Sequence, residues 1–338
     1  MKKLLIVLLA GLAVACSDFL EPKSQTEYIP REASSLNEML LGDAYILIGN
    51  GKEVMNLLLM FDDDIMCTDS TGELKASAMR TAEDIVGLEK AYAWQPDIFV
   101  EPCITPGNAY KNFYTYILGA NAALDYIDDV SGTENEKNIV KAQALALRGF
   151  YYFQLVNMWG APYNYDKKAL GVPLKLTSAL EVLELPRNTV EEVYARVLAD
   201  LEEADAYLKG NEVKNHPYRA DITAVYLLKS RVYLYMQNWN RALEYAGKVL
   251  ESRGELVDLS THVAGEEVFT KASPEMIFSM GGHALSAYMY SSREEGEKYP
   301  AYVVSEDLSS AFTEGDNDWR TRYYIMQEEI GGASTNSV

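Results

Sequence analysis

The chain has few of the residues on which enzyme and metal chemistry most often rests. Among 338 residues there are three histidines and three cysteines. His216, His262 and His283 lie far apart and form no His-Glu-x-x-His pattern, so the usual helix-borne zinc pair is missing. There is no Gly-x-Ser-x-Gly elbow, no P-loop and no Gly-x-Gly-x-x-Gly fingerprint. Cys16, Cys67 and Cys103 are too few for a disulfide framework or a cysteine-based zinc site. Cys67 and Cys103 either pair in an oxidising compartment or stay as two buried thiols. Positive charge is scarce as well. With 30 basic against 50 acidic residues the formal net charge is −20, which argues against nucleic acid and against a polybasic membrane patch. No metal or cofactor is expected from this inventory.

Long hydrophobic runs are also wanting. No stretch reaches the roughly 20 residues of a spanning helix. The longest, Leu4 to Ala15, follows Lys2 and Lys3 and has the length of a secretory signal, so residues 1–15 are set apart from the fold. It closes in Leu12-Ala13-Val14-Ala15-Cys16, which resembles a bacterial lipobox with Ala13 where a larger aliphatic is more usual. On this reading Cys16 is acylated and becomes the first mature residue, and its chains anchor a soluble domain to a membrane. The alternative is ordinary cleavage after Ala15.

What the chain does have is a 48% hydrophobic content, enough for a large core in one or two domains. That core centres on Lys141 to Tyr163. Ala142, Leu145, Gly149, Tyr152, Val156 and Trp159 make one helical stripe, and Ala144, Leu147, Tyr151, Leu155 and Met158 a second on the other side. A helix apolar on both sides belongs between other helices. Arg148, its one internal charge, calls for a buried carboxylate. Gly160 and Pro162 stop the helix.

Around it the periodicity predicts helices over Ser34 to Leu41, Lys52 to Met60, Ala109 to Val130 and Glu134 to Trp159. Thr189-x-x-Glu192 is a capping box that opens another, through Leu208. Asp221 to Gln237 and Asn240 to Arg253 form a hairpin. Ser230, Tyr233, Trp239 and Ala242 occupy its small and aromatic contact positions, as in a tetratricopeptide (TPR) unit. Tyr151, Tyr152, Tyr233 and Tyr235 are read as core. Residues 16–107 form a tether and loop-rich segment, 108–254 the helical region, and 255–338 an irregular part of short apolar runs. Asp62, Asp63, Asp64 and Asp69 lack the spacing of a calcium loop and are read as a solvated turn. Thr81 to Gly107, with Trp94 and three prolines, reads as a long loop, a common place for function.

These elements, in this order, resemble the SusD/RagB family of outer-membrane nutrient-binding lipoproteins. The resemblance rests on Cys16 with Ser17-Asp18-Phe19-Leu20-Glu21, on Lys141 to Tyr163, and on Leu185 to Tyr194 followed by Asp200 to Ala204. It also rests on Arg219 to Ala246, and on Ser305 to Leu308 with Phe312, Asp316 and Arg320. Gly149 stands where an alanine is usual. Family members continue well past Val338, so a truncated product is expected. The resemblance implies a mostly α fold, TPR-like helical hairpins in a SusD-like α/α superhelix, with an irregular loop-rich lobe. It further implies an acylated Cys16, an outer-membrane location at the cell surface, and a SusC-like TonB-dependent transporter as partner.

The implied activity is capture of an oligosaccharide or another nutrient, a peptide included, without catalysis. A glycoside hydrolase needs only two suitably spaced carboxylates, and 50 acidic residues supply many chance pairs, but no motif singles one out. A pure protein-interaction scaffold is the other alternative, since TPR arrays mostly bind proteins. Sugar rings present apolar CH faces edged by hydroxyls, so their sites need flat aromatics beside planar polar groups. The chain has 24 Tyr and 4 Trp. Outside the helical stripes lie Trp94, Tyr288, Tyr290, Tyr299 and Tyr302, and the resemblance implies a ligand where the long loop meets the irregular lobe. Arg80 and Asn108, flanking the loop, would supply planar polar groups. Trp319 is read as packing.

Overall fold

The computed structural model describes residues 30–47, 54, 60–67, 90–96, 109–180, 184–214, 217–263, 266–281, 290–292, 298–300, 302–312, 318–330 and 333–337. The predicted Lys52–Met60 helix lies almost wholly outside them, as do Cys16, Asp69 and Cys103. The first elements are helix α1 (Ala33–Asp43), strand β1 (Ile65–Cys67), helices α2 (Ala109–Tyr126) and α3 (Glu134–Trp159). Helices α4 (Val190–Leu208), α5 (Ile222–Tyr235) and α6 (Trp239–Arg253) complete the helical array. Then come β2 (Tyr290–Ser292), β3 (Lys298–Pro300), β4 (Tyr302–Val304), α7 (Glu306–Ala311), α8 (Trp319–Tyr323), β5 (Met326–Ile330) and β6 (Ala333–Ser337). The fold is mostly α, a TPR-like array followed by a loop-rich lobe.

Helix α3 is the axis of the array, with α2 and α1 on one side and α4 on the other. Both of its apolar stripes are buried, Leu145, Tyr152 and Val156 on one and Ala144, Leu147, Tyr151 and Leu155 on the other. Aromatic rings fill its C-terminal half: Tyr151 stacks on Tyr116 at 5.5 Å, and Phe153 meets Tyr194 edge-on at 5.9 Å. Close approach is set by small residues. A Cβ on Gly119 of α2 would lie 2.4 Å from the Asp43 carbonyl at the end of α1, so only glycine fits there. A Cβ on Gly149 would sit 3.4 Å from Leu201 of α4, ordinary contact, so the usual alanine would also be accommodated.

Caps explain where the helices begin. Thr133 with Glu136 and Thr189 with Glu192 form complete capping boxes at α3 and α4, Asp221 caps α5 and Asn238 caps α6. The box at Thr133 is legible in the sequence, though the periodicity alone runs α2 on to Val130. The helix instead ends at Tyr126, because Ser131 is drawn into backbone bonding with Arg31 and Ala33 at the entry to α1, at 2.9 and 2.8 Å. At the other end of α3 Gly160 is extended, with φ −110 and ψ 173, so it does not act through a left-handed turn. It is small because a Cβ would strike the Val156 carbonyl at 2.6 Å.

Between α3 and α4 the chain makes a polar strap, residues 171–178, fastened to the array by buried polar groups. Tyr152 Oη donates to the Lys175 carbonyl at 2.7 Å and accepts from its N–H at 2.8 Å. Asn121 donates to the same carbonyl at 2.9 Å, and Tyr114 Oη to Pro173 at 2.7 Å. Arg148 makes the expected buried ion pair, with Asp200 of α4 as its partner. Nε and Nη2 donate to the two carboxylate oxygens at 2.8 and 2.7 Å. Arg187 ties the start of α4 back to α3 through the carbonyls of Gly171, Leu170 and Trp159.

The α5–α6 hairpin keeps its small-residue contact, Ser230 Oγ on the Ala242 carbonyl at 2.9 Å, and buries Tyr233 and Ala242. Two aromatic expectations need correcting. Trp239 is 59% exposed, because Gln237 turns with φ 56 and leaves it as the first residue of α6, outside the hairpin seam. Tyr235 is 52% exposed and meets Phe153 of the core edge-on at 5.1 Å. Among the described residues there are three two-stranded antiparallel pairs, β2–β3 and β5–β6 within the lobe beyond Arg253 and β1–β4 between the lobe and the N-terminal segment. In the β1–β4 pair Cys67 lies opposite Tyr302. No described helix is long and apolar enough to cross a membrane.

Candidate functional site

The β1–β4 pair decides where the long loop and the lobe meet. Immediately before β1 the chain carries Phe61 and the exposed carboxylates Asp62, Asp63 and Asp64, whose oxygens lie within 4.8 Å of one another. The Ser305 N–H donates to the Asp64 carbonyl at 2.8 Å, which fixes this turn to the start of α7. Burial, and then the charges of Asp62 and Asp63, raise the pKa of Asp64 above the ordinary carboxylate value.

Against this corner sits the segment 90–96. Tyr92 packs at 5.4 Å on Tyr302, which lies buried in β4. Two residues on, Trp94 turns outward. Its N–H is held by the Ala91 carbonyl at 3.0 Å, and its φ of 53 is a left-handed value that costs a bulky residue strain. The indole is 67% exposed and meets the edge of Phe61 at 5.0 Å. The corner therefore presents an exposed indole resting on Phe61, the residue that directly precedes the acceptor carboxylates Asp62 to Asp64. Such a surface suits a polyhydroxylated ring, with CH groups on the indole and hydroxyls on the acids.

Of the residues expected at a site, Trp94 and Tyr302 are brought into this corner, Trp94 at its surface and Tyr302 beneath it. Tyr302 thus supports the corner from below, since its ring is buried. Tyr290 and Tyr299 lie in the neighbouring β2–β3 pair, opposite Pro300 and Ser291 respectively, with only their backbone described. Arg80, Asn108 and Tyr288 lie outside the described residues. Phe61 and Tyr92 were missed by periodicity, because aromatics in non-periodic stretches carry no stripe. Their closeness to Asp62 and Trp94 in the chain was the available signal.

A separate cavity of about 530 Å³ opens between α3, α5 and residues 269–280, lined by Leu147, Phe150, Leu228, Met276, Phe278 and Met280 among others. Its walls are largely apolar and offer few hydrogen-bonding groups to a sugar. Among the described residues the Asp62–Asp64 turn is the only cluster of three or more potential metal-ligating side chains, and it is fully exposed.

A TPR-like α/α scaffold that carries a loop-rich lobe on one corner is the class this geometry defines. A family model described as starch-binding, associating with outer membrane, matches residues 18–234, well over half of the chain. The chain belongs to this SusD-like family, within SusD/RagB. Among curated proteins it is 25% identical to SusD-like protein P38 of Formosa agariphila over 272 residues, covering 72% of this chain and 50% of that one. A second SusD-like protein of the same organism, P2, is 27% identical over 212 residues, covering 60% of this chain and 38% of its own length. The chain thus spans half or less of the curated relatives it matches. A SusD superfamily protein of Bacteroides vulgatus superposes with a TM-score of 0.70 at 19% identity, over 91% of this chain and 68% of that one. A laminarin-binding SusD-like protein superposes with a TM-score of 0.50 at 20% identity, over 68% of this chain and 46% of that one. These structural likenesses establish the fold.

Proposed function

We propose that this chain is a cell-surface lipoprotein that captures oligosaccharides and passes them, chemically unchanged, to a SusC-like TonB-dependent transporter in the outer membrane. Membership of a family described as starch-binding and associated with the outer membrane carries the reading. The exposed Trp94 face, braced by Phe61 at the start of the Asp62–Asp64 turn, supports a sugar contact at that corner. Trp94, Tyr290 and Tyr299, with Arg80, Asn108 and Tyr288, remain the proposed ligand contacts, and Tyr302 their support. For a transporter, the α5–α6 hairpin offers exposed apolar side chains, Leu234 on α5 and Trp239, Leu243 and Leu250 on α6. Cys16 is the proposed acylation site. Trp94→Ala tests the placement of the site. Binding to a glycan that the parent protein retains should weaken by roughly tenfold or more, as removal of one stacking aromatic typically does. Undiminished binding would move the site elsewhere.

A further inference from the structure

Towards the N-terminal end of α3 from the apolar cavity, a polar cleft of about 420 Å³ opens between α1, the N-terminal half of α3, residues 212–214 and Arg219. Its floor holds an unusual cation. Arg219 is 5% exposed, yet no carboxylate lies within ion-pair distance of it among the described residues. Its nearest acidic neighbour in the chain, Asp221, pairs with Arg253 at 3.0 Å. The guanidinium lies 5.1 Å from the centre of the Tyr45 ring and spends one N–H on the Asn37 carbonyl at 3.3 Å. An arginine has five such donors, and buried charges are ordinarily paired.

The surrounding side chains are mostly committed elsewhere, and Tyr45, which Arg219 also meets through its hydroxyl, is neutral, so they give Arg219 no negative partner. Tyr45 Oη donates to Gln143 Oε1 at 2.7 Å and accepts from the Ala220 N–H at 3.1 Å. Gln143 Nε2 donates to Asn37 Oδ1 and to the Ile139 carbonyl. Glu136 is held in the α3 capping box by the N–H and hydroxyl of Thr133, at 2.8 and 2.9 Å. Helix α1 begins beside the cleft without a side-chain cap; its Ala33 N–H is taken by the Ser131 carbonyl at 2.8 Å, and the Ser34 hydroxyl donates to Glu32 at 3.1 Å. Lys214 and Glu212 stand at the exposed rim.

We propose that this cleft is a second ligand site, and that it takes the carboxylate of an acidic sugar, a uronate residue. The carboxylate would lie on Arg219, near the uncapped turn of α1 and within reach of Lys214. The sugar hydroxyls would meet Asn37, Ser34 and Glu212. The choice of a sugar acid over a simple carboxylate rests on reading the chain as a glycan binder, and on the volume, which exceeds what an acetate group needs.

Calorimetry on the full chain at low ionic strength, with sodium glucuronate, methyl glucoside and sodium acetate, tests this. Glucuronate should bind measurably more tightly than acetate and than methyl glucoside, and salt should weaken glucuronate binding alone. Arg219→Lys, which loses the planar fork, should weaken glucuronate binding about tenfold or more. Since a change at a buried residue can harm folding, Lys214→Glu at the exposed rim is the companion variant, and it should weaken binding with the melting curve unchanged. The proposal is overturned by no heat with glucuronate, by equal binding of acetate, or by glucuronate binding that Lys214→Glu leaves intact. Neutral glycans assayed in parallel keep the two sites apart. Their failure to bind counts against the Trp94 corner alone, and a failure of glucuronate counts against this cleft alone.

Discussion

Asp200 is the single side chain whose removal should most damage the array. It is fully buried and receives Arg148 through two hydrogen bonds and Arg196 at 2.7 Å, so one carboxylate bridges two guanidinium groups, the second of which also meets Glu203 at 3.5 Å. Burial alone would lower the pKa of Arg148, but the hydrogen bonds and charge of Asp200 raise it on balance. Asp200→Ala leaves Arg148, whose side chain is only 7% exposed, charged and without its carboxylate between α3 and α4. Breaking such a pair from one side costs about 3–5 kcal/mol. That is a large part of the ~5–15 kcal/mol by which a domain is stable. Arg196, 23% exposed at its side chain, can turn to water, so Arg196→Ala should cost no more than about 1 kcal/mol. Urea unfolding followed by circular dichroism reads both, with the midpoint shifting and the slope held. A loss below ~1 kcal/mol for Asp200→Ala would refute the view that this pair locks α3 to α4.

Two further outcomes follow from named groups. The capping carboxylates Glu136 and Glu192 have pKa values lowered chiefly by the backbone N–H groups of Thr133 and Thr189. Because the folded values lie below the ordinary 4.5, the stability these groups contribute is present above that pH and is lost as pH falls through the folded values. Urea midpoints measured from pH 6 downward should drop below about pH 4.5, and less steeply in Glu192→Gln, which keeps the cap without the charge. For the anchor, Cys16→Ala should move the protein from the membrane fraction to the soluble one. Retention in the membrane would contradict acylation at Cys16.

The helical array was legible because its physics is local. The two stripes of α3, the box at Thr189 and the stop at Gly160 each arise from residues a few positions apart. Even the need of Arg148 for a buried acid could be read, since an apolar helix cannot leave a charge unmatched. Its partner could not, because Asp200 lies on another helix and α4 carries several acids. Trp239 and Tyr235 were misplaced for a related reason: a TPR-like spacing fixes which residues share a seam, while exposure depends on what stacks outside it. The strap at 171–178 was invisible, having no period and being held by tyrosine and asparagine side chains from α2 and α3. The Trp94 corner was half legible. A tryptophan in a non-periodic loop drew notice, but the β1–β4 pairing that delivers Phe61 and Tyr302 to it spans most of the chain.

The most direct measurement is a glycan screen of the soluble protein lacking its signal and Cys16, with each retained glycan recovered and its length and reducing ends determined. The account predicts that at least one oligosaccharide is retained and recovered intact. A retained glycan recovered shortened would make the protein a hydrolase, and a complete absence of glycan binding beside stable capture of a protein partner would make it a scaffold; either result contradicts the central claim.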